Sequence, residues 1–325
     1  MRQSGFTVLA ALGAAFLAAP VLAQQAYPNK PIRFVIPLPP GGAIDIVART
    51  TGNLAQERLG QPFIYDNRPG ANTIVATDIC TKGAPDGYTL CFLTSNATLN
   101  QYLYSKLPYD FLKDLDPVTI LVFPYEGLYL NASVPARTLK ELVAYSKANP
   151  GKVNFGSLGI GGSPHLVPEW VARNTGGNFT HIPYKGLPDL MRAFHAGDIH
   201  MMFLALGNPT YLEMIRAGKM RVLFFPGNTR NPILPDVPTM SEAGVPDHGF
   251  KSWWGLAVPA GTPKDVVNRL HTAFVEAVRS PAVRQRFGPL GLEIAGNSPE
   301  EFRKFILDDL PRGERLVKSS GARLN

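Results

Sequence analysis

Ten residues, Gly156 to His165 (GSLGIGGSPH), bring a serine, a histidine and several glycines close enough together to do chemistry. A nucleophile elbow requires Gly-x-Ser-x-Gly, and Ser163 has Gly161 before it but His165 where the second glycine belongs. A dinucleotide loop requires Gly-x-Gly-x-x-Gly, and Gly159-Ile160-Gly161 meets Pro164 at the last position. What remains is a set of amides and hydroxyls at a helix start, suited to holding an anion. A similar set lies at Pro39-Pro40-Gly41-Gly42. Its two prolines fix the approach, and its two glycines let a ligand reach backbone amides that the following helix cannot satisfy. A carboxylate seated there gains about 0.3 to 1 kcal/mol from the helix dipole, and roughly 2 when partly buried. Asp45, in the first turn, is either an acid favoured by that dipole or an acceptor for a ligand amine or bridging water. His165 either reads the ligand or only holds its own loop in shape.

The elements that must position these groups repeat a strand–loop–helix unit. Phe34, Val35 and Ile36 read as a strand covered on both faces, and Ile44, Val47, Ala48, Ala55 and Leu59 fall on one side of a helical period. Phe63 to Tyr65 and Tyr88 to Leu93 predict two further strands, with a helix over Ile74 to Cys80 between them. The first ends in the Asp66-to-Asn72 turn and the second in Thr94 to Thr98. In an open parallel sheet three such loops share one rim, where ligands bind. The run Val118 to Leu130 predicts a strand that leaves one sheet and enters another, after which the pattern restarts. Thr138 to Glu141 caps a helix, and strands follow at Lys152 to Phe155, Phe179 to Pro183, Ile199 to Leu204 and Met220 to Phe225. Trp253 to Val258 predicts a second crossing strand. Thr262-Pro263 opens a helix reaching about Phe287, and Ser298 to Glu301 caps a final one. Two crossings between two α/β lobes make a hinged cleft, with 24–125 and 254–325 in lobe 1 and 126–253 in lobe 2. The aromatic set Phe123, Tyr125, Tyr184, Trp253 and Trp254 could wall that cleft or pack the hinge.

Residues 1–23 predict an export signal: Arg2 is its only charge, Phe6 to Leu17 is apolar, and cleavage follows Ala23. No later run approaches the length of a membrane-spanning helix. The 325-residue chain exceeds the comfortable size of one core. A net charge of +7 arises from scattered rather than clustered Lys and Arg, which disfavours a nucleic-acid partner. Six histidines give no metal-binding spacing, His195 and His200 lying across a helix–strand boundary, and no cofactor is expected. Cys80 and Cys91, the only cysteines, allow either a bridge or two free thiols.

Several stretches then match a family in the right order along essentially the whole mature chain. They are Tyr27 to Arg49 (YPNKPIRFVIPLPPGGAIDIVAR), Asn67 to Ala71 (NRPGA), Ala84 to Leu90 (APDGYTL), Leu107 to Val118, Gly161 to Leu166 (GGSPHL), His181 to Gly186 (HIPYKG), Leu234 to Gly244 and Trp254 to Pro263. The chain resembles the Bug family, the periplasmic solute-binding proteins of tripartite tricarboxylate transporters. That resemblance implies a type II periplasmic-binding-protein fold whose two lobes close on a small carboxylate and hand it to inner-membrane permease subunits. It implies no catalysis, and a monomer is expected. The family's first carboxylate loop falls on Leu38, Pro40, Gly41 and Gly42, with its helix-start acid at Asp45. Its second falls on Gly70, Ala71, Asn72 and Thr73, its third on Thr94 to Thr98 with Thr94 and Ser95 foremost, and its lobe-two loop on Ser157, Gly159, Gly161, Ser163 and His165. Tyr184 completes the expected lining.

The departures bear on the ligand. Asn72-Thr73-Ile74 stands where relatives carry Gly-Gly-Asn, and Leu204-Ala205 stands where an acid is common, which favours a mono- or dicarboxylate with an apolar or aromatic body. Two other readings compete: an exported serine hydrolase using Ser163 with His165 or His181, and a receptor that presents its ligand to a membrane kinase.

Overall fold

The protein is described by a computed structural model over residues 27–322 and residue 324. The expected export signal, 1–23, lies outside these residues. The first half of the chain builds β1 (Ile32–Ile36), α1 (Ala43–Leu59), β2 (Phe63–Asn67), a 3-10 turn (Ala71–Thr73), α2 (Ile74–Thr81), β3 (Thr89–Thr94), α3 (Asn96–Leu103), α4 (Phe111–Asp114) and β4 (Leu115–Pro124). Across the crossing come β5 (Glu126–Asn131), α5 (Leu139–Ala148), β6 (Asn154–Ser157), α6 (Ser163–Thr175), β7 (Thr180–Pro183), α7 (Leu187–Ala196), β8 (Met201–Ala205), α8 (Pro209–Arg216) and β9 (Met220–Phe224). The chain then returns through β10 (Trp254–Pro259), α9 (Lys264–Arg279), α10 (Pro281–Phe287), β11 (Leu292–Ile294) and α11 (Pro299–Ser320).

Two mixed sheets result, ordered β11-β4-β10-β3-β1-β2 and β7-β6-β8-β5-β9. β2, β1 and β3 run parallel, so the loops after them emerge on one rim; β6, β7 and β8 do the same in the second sheet. The apolar alternation of β1 has a clear destination. Phe34 is fully buried, its ring 5.5 Å from Phe63, 6.4 Å from Phe92 and 5.8 Å from Phe274 of α9. On the opposite face Val35 joins a cluster with Leu93, Trp253 and Phe302. Cys80 and Cys91 form a disulfide between α2 and β3, with Cα atoms 6.1 Å apart, inside this cluster. Closing a loop of this length typically stabilises by about 2 to 4 kcal/mol.

The first crossing lies at Tyr125, whose N–H donates to Gly291 on one side and whose carbonyl accepts from Leu206 on the other. The second passage differs from the expected crossing strand: Trp254 to Pro259 pairs only with β3 and β4, inside the six-stranded sheet. The return runs through 225–253 as turns and bends with one bridge, Phe225 to Thr239. The predicted Thr262-to-Phe287 helix is two helices, because Ser280 caps a new start at Pro281. Thr262 does not cap α9; its hydroxyl donates to the Pro259 carbonyl.

α11 opens with the expected capping box at Ser298 and Glu301 and ties the lobes together. Its early residues Phe302 and Ile306 sit in the Val35 cluster of lobe 1. Its late residues Leu316 and Val317 pack with Leu130, Phe155 and Leu166 of the five-stranded lobe. Gly313 permits the close approach of α3 that this requires, since a Cβ there would lie 2.8 Å from Leu99.

Candidate functional site

After β1 the chain turns through Gly41, whose φ of +87° suits glycine, into Gly42, an extended N-cap with no side-chain cap bond. The first-turn N–H groups of α1 therefore have no intrahelical acceptor. Asp45 is 4% exposed and closes this loop from inside. It accepts from the Gly41 N–H (3.0 Å), Arg49 Nε (2.9 and 3.0 Å) and Asn67 Nδ2 (3.1 Å), and Asn67 Nδ2 also reaches the Leu38 carbonyl (2.8 Å). Burial pushes this carboxyl up, but the bonds from Arg49, Gly41 and Asn67 outweigh it and hold the carboxyl below its ordinary range. Asp45 thus shapes the loop, and the Gly41 amide expected to meet a ligand is turned onto Asp45.

The second loop, after β2, carries unusual backbone. Gly70 has φ +136°, and Ala71, Asn72 and Thr73 follow at +44°, +48° and +73°, the only non-glycine residues of positive φ among those described. Such residues cost about 1 to 3 kcal/mol each unless their surroundings over-determine them. Here three asparagines do so. Asn96 Nδ2 donates to Asn72 Oδ1 (2.9 Å), Asn72 Nδ2 donates to Asn100 Oδ1 (2.7 Å), and Asn100 Nδ2 returns to the Asn72 carbonyl (3.0 Å). Ala71→Gly is expected to relieve one strained position and raise stability by about 1 kcal/mol in urea unfolding; a loss of stability would mean that the turn is not strained at Ala71.

The Thr73 hydroxyl is buried, 5% exposed, and has no hydrogen-bond partner among the described residues; the same holds for Thr94 at the end of β3, also 5% exposed. Buried hydroxyls are normally satisfied, so two orphans at two of the expected loops point to a ligand or water. Ser95 is anchored by its N–H to the Trp253 carbonyl (3.0 Å).

In lobe 2, β6 feeds a loop with Gly159 at φ +116° and Gly161 at +99°, and α6 begins after Gly162 with no side-chain cap bond. His165 Nδ1 accepts from the Gly161 N–H (3.3 Å), so His165 holds the loop in shape. Ser157 Oγ donates to the Gly159 carbonyl (2.7 Å) and lies 2.6 Å from His181 Nε2. The rings of Phe155, His181 and His165 form a pile with successive centroids 4.7 and 4.1 Å apart. Burial pushes both imidazoles down to about 4, with His181 adding to the effect on His165. Ser163 does not face either histidine as a nucleophile would; its hydroxyl donates to Glu126 Oε1 (2.9 Å).

Glu126 and Asn100 were not singled out at the sequence level. Glu126 begins β5 half-buried, also accepting from Ser252 Oγ (2.6 Å), and desolvation pushes it up to about 7. The available signal was an acid directly after the crossing, within the apolar run Val118 to Leu130. It stands opposite Ala205 in the β5–β8 pairing, beside the position where an acid was found wanting.

The loops of the two lobes meet. A Cβ on Gly161 would lie 3.1 Å from Asn72 Nδ2, one on Gly162 3.1 Å from Asn96 Nδ2, and one on Gly207 3.2 Å from Ala43 at the start of α1. Ala205 packs on the lobe 1 cluster that also holds Leu38 and Ala43. Leu204 does not line the cleft: strand alternation turns it into the lobe 2 cluster with Met202 and Leu190. Tyr184, half-buried, packs against that cluster with its ring beside Gly156, and its N–H donates to the Ser157 carbonyl (2.9 Å). For three of the aromatic set, packing is the alternative that holds. Trp253 packs between Phe111 and Phe302, Phe123 against Phe305, and Trp254 in the lobe 1 core.

With this geometry in place, three comparisons agree. A family profile described as "Tripartite tricarboxylate transporter family receptor" matches residues 47–322. Protein BugT of Bordetella pertussis is 36% identical over 319 residues, 96% of each chain. Two Rhodopseudomonas palustris structures superpose well. Rpa4515 with adipate has a TM-score of 0.84 at 29% identity, over 92% of this chain and 100% of that one; MatC with bound malate has 0.82 at 27%, over 90% and 100%. Glycine loops that bring two α/β lobes together at the α6 start, and matches that span nearly the whole chain, place this protein in the tripartite tricarboxylate transporter receptor family, the Bug-type periplasmic solute-binding proteins.

Proposed function

We propose that this chain is exported to the periplasm, captures a small carboxylate between its lobes and delivers it, as a monomer without catalysis, to the membrane subunits of a tripartite tricarboxylate transporter. The observation that carries the reading is the pair of unpartnered buried hydroxyls, Thr73 and Thr94, at the rim that faces the uncapped start of α6. Such a site grips an anion by amides, hydroxyls and bridging water, strongly enough to select it and weakly enough to release it. The related structures with adipate and malate support the carboxylate class. Leu38, Ala43, Ala205 and Leu290, half-buried beside the lobe 1 loops, favour a ligand with an apolar body.

Mass spectrometry of small molecules released from the denatured protein, followed by calorimetric titration, tests the reading. At a hundredfold excess over Kd the ligand is expected to stabilise the fold by about 2.7 kcal/mol. If only amino-acid or citrate-like ligands bind, the apolar-body assignment falls. Turnover of an ester or amide that disappears in Ser163→Ala would replace the receptor by a hydrolase.

A further inference from the structure

Glu126 lies near the meeting of the lobes, and the proposed capture of a carboxylate leaves its chemistry unexplained. It follows the crossing at Tyr125, pairs with Ala205, and touches two serines from distant parts of the chain. Ser163 is the first residue of α6, and Ser252 precedes the Trp253 carbonyl that anchors Ser95. The acid is therefore wired to the seats of both lobes. Among the described residues its hydrogen-bond partners are two neutral hydroxyls, and no cation is paired with it. A ligand carboxylate at the α6 start would lie two hydrogen bonds from Glu126 through Ser163, within about 6 Å. Two carboxylates this close in a partly desolvated site, with no cation between them, do not both stay ionised.

We propose that Glu126 is a specificity-determining residue of the cleft, a carboxyl that must be neutral when a carboxylate ligand is bound, so that each ligand captured carries one proton into the protein. This rests on the carboxylate reading above. The proton comes from solvent on binding and returns to it on release. In the neutral form the Glu126 O–H donates to Ser163, Ser252 or the ligand, so the site admits an anion where an ionised acid would repel it. Burial already pushes the acid up to about 7, so small changes in its surroundings decide its charge.

The groups facing Glu126 from neighbouring elements leave the assignment separable. Tyr129, further along β5, is raised well above its ordinary value by burial, and His165 on α6 is pushed down to about 4. Lys251, beside Ser252, turns away to Glu293 Oε2 (3.1 Å) and lies over the Phe123 ring. Asp309 on α11, pushed up to about 6 by burial, accepts from the Lys251 backbone and remains in place in a Glu126 variant.

The test is calorimetric titration of wild type with C4 to C8 dicarboxylates and benzoate, then of the tightest binder in buffers of differing ionisation heat between about pH 6 and 9. Uptake approaching one proton per ligand is expected above the midpoint, with Kd rising about tenfold per pH unit there. Glu126→Gln, similar in shape and never ionised, is expected to show no uptake and a flat Kd. Because that variant can fail to fold, Ser163→Ala and Ser252→Ala provide a second readout. Each removes a donor that favours the ionised acid, and is expected to move the midpoint of the pH dependence upward. Binding without proton uptake, or uptake that persists in Glu126→Gln, overturns the Glu126 inference and leaves the receptor reading standing. A wild type that binds none of the probes overturns both.

Discussion

Gly161→Ala is expected to weaken ligand capture roughly a hundredfold, about 3 kcal/mol, in calorimetric titration. Two causes act at this one position. At φ +99° an alanine is strained by about 1 to 3 kcal/mol, and relaxing it turns the amides that start α6 out of line. The added Cβ would also stand 2.7 Å from Leu103 Cδ1 and 3.1 Å from Asn72 Nδ2. Leu103 is packed in the shared α3–α11 cluster, and Asn72 is fixed by Asn96 and Asn100, so neither yields easily. The loop must back away, which opens the lobes where they should meet. Gly151→Ala is the matched control: it has φ +74° and nothing within 4 Å of its Cβ, so it carries backbone strain without a clash. That control is expected to lose stability and keep its affinity. Equal affinity for Gly161→Ala and wild type would show that the Gly161–Asn72 approach is no part of binding.

Acidification from about pH 6.5 to 4 is expected to destabilise the fold by on the order of 2 kcal/mol, followed by urea midpoints. The sign follows from which state holds more protons. His165, His181 and His248 are each pushed down to about 4 by burial, so the unfolded chain, with ordinary histidines near 6.5, takes up protons first. Stability from these groups is complete above 6.5 and is lost as pH falls toward 4. Glu126, raised to about 7, and Asp309, raised to about 6, act in the opposite sense. Their contribution is complete below the unfolded carboxylate range and is lost as pH rises through 6 to 7. Three histidines against two acids leave about one net proton favouring the unfolded state, or ~1.4 kcal/mol per pH unit. The half-exposed His181 lowers that figure through solvent screening. Asp45 and Asp66, both held below their ordinary range, add their own loss only at lower pH, below the usual carboxylate value. A stability that rises between pH 6.5 and 4.5 would mean that the acids dominate, and His165→Gln with His181→Gln would then change little.

Much of the frame is local and was readable as such. β1, the Gly41 turn and α1 follow from apolar periodicity and two glycines; the Ser298 capping box falls where capping places it. Errors came where local rules compete. The helix predicted to Phe287 breaks at Ser280 because a capping serine followed by proline restarts it, and Trp253 to Val258 has a strand's composition but only tertiary pairing assigns its sheet. Tyr184 and Leu204 had suitable side chains beside the right loops, yet strand alternation points Leu204 into the lobe 2 core and Tyr184, just past β7, packs half-buried against it. By itself, the amino-acid sequence determined the two-lobed α/β order, the family and the loops that face the cleft, because hydrogen-bonded elements and their turns are set by neighbours a few residues apart. The tertiary structure alone decided that Asp45 is spent on Gly41 and Arg49, that Thr73 and Thr94 are left without partners, and that Glu126 sits between Ser163 and Ser252. Charge and hydrogen bonding in a buried site depend on desolvation and on groups up to 126 residues away, and no local pattern encodes either.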